Sequence, residues 1–312
     1  MPNIWTHNLF GDAAITNTGT RRWLDNPELK QIYHLGCQGP DFLFYHRFFP
    51  WQGQSALNGL GSRMHSEACG PVLLQMAETV SRRHVDLDDP LTVYVTGFMM
   101  HHVLDRNMHP YIFCKSGSIK WDHQRFEVIL DTLVVRKLLG IETWANPAWK
   151  QIDIGREFPP SVVEMLDHIA KDHYSDIAEN ITMTQWNEAY RDMIKAQRIF
   201  HDPYGIKRIL TFGQIEPLVY KRKNPERDYF NDSRSTWRHP AVEHESSSAS
   251  FWDIWEQAME DAMQVLNAAF HYWSQPTEVN LEVLVAAISN LSYEHGKPVE
   301  EGLTIQFEEP IW

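Results

Sequence analysis

GFMMHHVLDRNMHP, residues 97–110, places three histidines and an aspartate within nine positions of an otherwise apolar helical stretch. Gly97 to Met100, Val103 and Leu104 read as core. At about 100° per residue, His101 and Asp105 lie one turn apart on one face. Two ligands of a single metal ion need that geometry. Pro110 lacks a backbone N–H and pushes the preceding residue out of the helical region. It therefore predicts a helix that stops at about Met108, with His109 on the departing chain and free to turn toward a different ion. The competing reading is a packing helix with a few polar residues near its end, because short His/Asp matches also arise by chance.

The surrounding signals are helical. Asp89 before Pro90 opens the helix that carries this stretch, and Gly70-Pro71 opens another through Val80. Asp122 caps a third, ending near Gly140 with Arg136 and Lys137 in its last turns. Ser161 and Glu164 form a capping-box pattern ahead of VVEMLDHIA. Further helices fit 184–200, 250–273 and 278–291. Strand character is confined to LTIQF near the end, and 221–250 is polar enough to read as one long loop. The fold class is all-α.

Composition narrows the function. The chain has 312 residues, 43% hydrophobic, enough to bury a sizeable core. Its 28 basic against 41 acidic side chains give a net charge of −13, which repels polyphosphate chains and anionic membranes at long range. Cys37, Cys69 and Cys114 are odd in number and widely spaced, which argues against a disulfide framework and a cysteine-rich zinc knuckle. No basic start followed by an apolar run precedes Arg21, and no apolar stretch is long enough to span a bilayer. The expected location is the cytoplasm.

His123 and Glu127 repeat the i, i+4 arrangement on the next helix, and His109 could supply a third ligand beside them. Upstream lie His65 in GSRMHSE, Asp41 in GCQGPDFLFYH and His7 in MPNIWTH. His84, His168, His173, His201, His244 and His295 follow charged segments and need no ligand role.

The series THNLFG, LGCQGPDFLFYH, SRMH, GFMMHHVLDRNMHPYI and HQRFE resembles the zinc-dependent phospholipase C family, including its intracellular bacterial branch. The same superfamily includes single-strand-specific zinc nucleases. The resemblance covers roughly residues 1–135 in ordered, spaced motifs. It implies an all-α, multi-helix bundle holding two to three zinc ions in a trinuclear site. By the same resemblance, Asp41, His65, His101 and Asp105 hold one ion. Asp105 bridges to a second, held also by His7, and His109, His123 and Glu127 hold the third. His102 stands where relatives often carry tyrosine and is expected beside the ligands rather than among them. In secreted members the processed chain end is itself a ligand. Here removal of Met1 leaves Pro2, only five positions before His7, so the His7 site is expected to be differently completed. The Asp41–His65 separation implies an inserted loop. One domain is expected over 1–312, with the metal-binding core in 1–140 and a helical part in 141–312 that carries the polar loop.

Grouped zinc ions neutralise an anionic phosphodiester and lower the pKa of bound water toward neutral. Asp41 and Asp105 would be both ligands and the catalytic carboxylates that orient or deprotonate that water. No Ser-His-Asp arrangement with recognisable spacing competes. The aromatic run Phe42, Phe44, Tyr45, Phe48, Phe49 and Trp51 could cage a choline head group or stack a base, but burial statistics favour core or a loop anchor. Trp252 and Trp255 read as helix packing. The expectation is a phospholipase C-like hydrolase of a phospholipid or small phosphodiester, without a stable nucleic-acid complex. The alternatives are a zinc nuclease and a helical protein with structural zinc.

Overall fold

The apolar residues of 90–116 run all the way round their helix, and such a helix is satisfied only at the centre of a bundle. The computed structural model describes residues 4–16, 18–83, 86–117, 119 and 121–312. The first part of the chain forms α1 (Ile4–Thr16), α2 (Pro27–Gly36), α3 (Ala56–Ser66), α4 (Cys69–Arg83), α5 (Pro90–Ser116) and α6 (Asp122–Leu139). There follow α7 (Pro160–His173), α8 (Ser175–Ala178), α9 (Met183–Phe200), α10 (Ile206–Leu210), α11 (Phe251–Ser274) and α12 (Glu278–Ile288). The polar stretch 221–250 is irregular apart from a two-residue ribbon, β1 (Trp237–Arg238) antiparallel to β2 (Ser246–Ser247). The protein is all-α, and none of its described helices is long and apolar enough to cross a membrane.

Twenty-four of the 27 residues of α5 are buried, which makes it the axis. α1, α2, α4, α6, α7 and α11 pack around it. The closest crossing, α2 on α5, is set by glycine: a Cβ on Gly36 would stand 2.3 Å from the Tyr94 carbonyl oxygen, and one on Gly97 2.4 Å from that of Tyr33. This contact brings the end of α2, and the turn after it, against the face of α5 that carries His101. Cys37, Cys69 and Cys114 are buried free thiols.

Four local expectations are corrected. The helix does not stop at Met108: α5 runs through Pro110 to Ser116, so His109 stays on the helix, one turn beyond Asp105. An interior proline costs about 3 kcal/mol, but burial on all sides outweighs that here. The Arg106 carbonyl, which Pro110 cannot bond, is instead covered by the backbone at Gly296, where a Cβ would lie 2.2 Å from its oxygen. The Ser161–Glu164 box does not form. α7 starts at Pro160, which puts Ser161 inside the first turn, and Glu164 pairs with Arg83 at 2.6 Å. Asp122 is the first residue of α6 rather than its cap, a place taken by Trp121 in the left-handed region. LTIQF forms no strand; the amides of Gln306 and Phe307 both donate to the single carbonyl of Pro240.

Candidate metal centre

The eight sequence-predicted ligands reach the same region from five elements. Asp131 of α6 is buried among apolar neighbours and accepts hydrogen bonds from the amides of Trp5 and Thr6 at 3.2 and 2.7 Å. It thereby anchors the first turn of α1 and aims His7 inward. Asp41 sits on the 3-10 turn Gly39–Tyr45 that follows α2, and His65 on the last turn of α3. His101, Asp105 and His109 follow one another at four-residue spacing on α5, and α6 brings His123 and Glu127 from across the bundle.

Three of the histidines are held in one tautomer by backbone carbonyls. His65 Nδ1 donates to Gly61 (2.7 Å), His101 Nδ1 to Cys37 (3.1 Å) and His109 Nδ1 to Tyr293 (2.8 Å). A carbonyl only accepts, so Nδ1 keeps its proton and Nε2 is the nitrogen that faces the cluster, as metal-ligating imidazoles require.

The Nε2 atoms converge on carboxylates. His65 approaches Asp41 Oδ1 at 3.1 Å, and His123 approaches Glu127 Oε1 at 3.1 Å. Asp105 is the hub: its Oδ2 lies 3.1 Å from His101, and its Oδ1 3.3 Å from His7 and 3.4 Å from His109. His109 also lies 3.4 Å from Glu127. Bonds of about 2.0–2.1 Å at tetrahedral angles separate neighbouring ligand atoms by roughly 3.3 Å, so these spacings suit ligands sharing an ion. Three groups qualify as metal-holding sets: His7–His101–Asp105, Asp41–His65–His101 and His109–His123–Glu127. His101 belongs to two of them.

The donor set fits a cation on a second count. His101 Nε2, His109 Nε2, Asp41 Oδ2 and Asp105 Oδ2 are buried without a hydrogen-bond partner, which is costly unless something else occupies them. Burial pushes the Asp105 carboxyl up, but His101, His109 and His7 outweigh it and hold the group well below the usual carboxylate range. Glu127 is likewise held low against burial by His123 and His109. Against the pull of burial, Asp105 and Glu127 raise His109 to about 9, so an ion entering there displaces a proton.

Two cavities meet the cluster. A cleft of about 750 Å³ exposes Asp41, His65, His109 and His123 on its floor, with Phe44, Tyr45, Phe48 and Phe113 on its walls. Among the described residues, no lysine or arginine lines it. Asp105 faces instead a small cavity of about 30 Å³ shared with His7, His109 and Glu127, room for a single ion or water.

Of the aromatic run, Phe42 is core, packed on Phe158 and Trp186, while Phe44, Tyr45 and Phe48 form cleft wall. Trp51 stacks on Phe49 and is 78% exposed. His102 turns away from the cluster: Nε2 meets the Leu291 carbonyl at 2.8 Å, its ring packs edge-on against Tyr293, and burial lowers its pKa to about 3. The chain-end reading at Met1 and Pro2, and the reading of His84, lie outside the described residues. His295 is not surface-like, as its charged neighbours implied, but buried, with its carbonyl accepting from His239 Nε2.

Sequence reasoning missed Asp131 and the segment 291–293. Asp131 left one trace, a lone acid inside the apolar run VILDTLVV. The carbonyls of Leu291 and Tyr293 left none, since every residue carries one.

Fold and site together define a helical protein with buried His/Asp/Glu groups able to hold metal ions. Compared with models of known families, with curated proteins and with solved structures, the chain matches none.

Proposed function

We propose that the protein is a zinc-dependent phosphoric diester hydrolase of the phospholipase C-like kind, with two to three zinc ions held by His7, Asp41, His65, His101, Asp105, His109, His123 and Glu127. The observation that carries this reading is the union of three ligand sets through His101 and Asp105 beneath an open cleft. A structural zinc site is closed, with four protein ligands and no access; here four of the ligands line the cleft floor. Bound zinc supplies positive charge to an anionic phosphodiester and lowers the pKa of water toward neutral. Three carboxylates do not cancel the charge of even two such ions, so the floor attracts an anion although the chain is acidic.

The residues divide the work. Asp41 lines the cleft and has one oxygen without a hydrogen-bond partner, so it takes the proton of the attacking water. Asp105, behind it, keeps the imidazoles of His7, His101 and His109 in register. The backbone carbonyls of Cys37, Gly61 and Tyr293 stop three of the rings from turning. The apolar walls exclude water and accept a non-polar substituent of the substrate. The nuclease reading is the weaker one, because a strand of phosphates needs cations along its track and the described cleft lining offers none.

The test is zinc-replete protein assayed on a chromogenic phosphocholine ester, bis(4-nitrophenyl) phosphate and single-stranded DNA. Turnover of the small diesters, reduced 100-fold or more by Asp41→Asn, is expected. Zinc bound tightly with no turnover of any substrate would make the metal structural and overturn the proposal.

A further inference from the structure

We propose that Ser55, His46 and Glu188 form a second catalytic site, one that hydrolyses small esters of apolar acyl groups through an acyl-serine. Ser55 precedes the first residue of α3, and its Oγ lies 2.8 Å from His46 Nδ1. The other ring nitrogen, Nε2, faces the Glu188 carboxylate of α9 at 3.5 Å. A carboxylate only accepts, so it favours the proton on Nε2 and leaves the Nδ1 lone pair to receive the Ser55 hydroxyl. Asn58 Oδ1 is also within reach of that hydroxyl, but at 3.1 Å, and it already accepts the Ser55 amide at 2.8 Å. Nucleophile, base and orienting acid thus stand in the order that serine hydrolysis needs, with the ring turned end for end.

Two clamps hold the three groups. Asn58 Nδ2 donates to the carbonyls of Leu43, Phe44 and His46 at 3.0, 3.1 and 3.1 Å, which binds the chain around His46 to α3. Asp192, one turn along α9 from Glu188, accepts from the Arg47 amide at 2.9 Å and ties the same chain to α9. Helix capping alone does not call for this arrangement, because Ser55 and Asn58 already complete a capping box without the buried His46. His46 and Asn58, the two side chains that meet Ser55 Oγ, line an open cavity of about 430 Å³ walled by Phe44, Phe48, Phe49 and Pro50. It suits an apolar acyl group beside a polar reacting centre. The amides of Ala56 and Leu57, the first two of α3, have no intrahelical acceptor, and a helix N-terminus favours negative charge developing on the carbonyl oxygen. Oγ bonds to the acyl carbon while its proton passes to His46 Nδ1. The ester C–O bond then breaks, and His46 hands the proton to the departing alcohol oxygen. Water repeats the sequence on the acyl-serine, releasing the carboxylic acid and restoring Ser55.

The experiment exposes zinc-replete protein to an alkyl fluorophosphonate, which phosphonylates an activated serine with loss of fluoride, and maps the adduct by peptide mass spectrometry. The adduct should lie on Ser55. Ser55→Asn should carry none while remaining folded, because asparagine caps a helix as well as serine does. Glu188 touches no reacting atom and acts by positioning His46. Glu188→Gln should therefore cut the maximal labelling rate roughly tenfold or more, with the half-saturating probe concentration and the melting temperature unchanged. Hydrolysis of 4-nitrophenyl butyrate should fall in step in both variants. The site does not depend on the zinc reading: labelling at Ser55 without any diester turnover would remove that reading and leave this one standing. Three results would overturn it: no adduct on Ser55 of the folded wild type, undiminished labelling of Glu188→Gln, or full ester turnover by Ser55→Asn. The last would assign ester cleavage to the metal cluster instead.

Discussion

Gly39→Ala strikes the point where the 3-10 turn bearing Asp41 meets the central helix. Gly39 has φ of +51°, and a Cβ built there stands 2.1 Å from Cδ2 and 2.5 Å from Cγ of His101. Carbon atoms settle at about 3.5–4.0 Å, so the ring or the turn must retreat by roughly 1.4 Å. The left-handed backbone adds about 1–2 kcal/mol for a residue with a Cβ, and overpacking adds about 1–3 kcal/mol. The total loss of stability should be about 2–5 kcal/mol, read as a lower urea midpoint at constant slope. Gly53→Ala separates the two parts, because Gly53 also has positive φ, +71°, yet a Cβ there meets nothing within 4 Å. The clash term is the difference between the two variants. It should be accompanied by loss of whatever zinc His101 would hold, which Gly53→Ala should retain. If Gly39→Ala keeps its full zinc complement and unfolds at the same urea concentration as Gly53→Ala, the turn does not position His101 and the reasoning fails.

Chelation should lower the melting temperature markedly, because ligands from five elements would share the ions; at a thousandfold excess over Kd one bound ion stabilises by about 4 kcal/mol, and calorimetry with and without chelator measures it. His109→Ala and Glu127→Ala should each lose close to one zinc equivalent by elemental assay, whereas His168→Ala, at an exposed position, should lose none. Burial pushes the Asp131 carboxyl up to about 7, against hydrogen bonds from Thr6, Tyr220 and Trp5. The folded chain therefore keeps that proton between about pH 4 and 7 while the unfolded chain releases it. The associated stability is present below pH 4 and lost as pH rises through 7, by at most about 4 kcal/mol. Urea midpoints across that range should show the decline in wild type, and it should flatten in Asp131→Asn.

Side chains whose chemistry is visible in the sequence were the legible part of the site. His101/Asp105 and His123/Glu127 announced themselves by i, i+4 spacing, and the structure brings both pairs into one cluster with His7, Asp41, His65 and His109. Pro110 misled because the rule it follows is local, while the burial that overrides it comes from α1, α2, α4, α6, α7 and α11 together. Ser161 misled for a related reason: Pro160 serves equally well as a first helical residue, and the start shifted to it. LTIQF alternates without a partner strand to pair with, so its pattern found no ladder. The carbonyls that orient the histidines have no side-chain signature at all, and only the fold reveals them.

The segment 291–293 gives the site a place in time as well as in space. Tyr293 supplies the carbonyl that sets the His109 ring, and its amide donates to the His65 carbonyl at 3.0 Å. Yet the last proposed metal ligand, Glu127, is synthesised 166 residues before it. At roughly 5–20 residues per second, a ribosome leaves all eight side chains waiting for about ten to thirty seconds before the clasp that orients His109 exists. During that interval the His109 imidazole has no carbonyl to fix its ring. A site with that ring unset would discriminate less sharply among divalent ions, so which metal the finished protein would take up should depend on when the metal is offered.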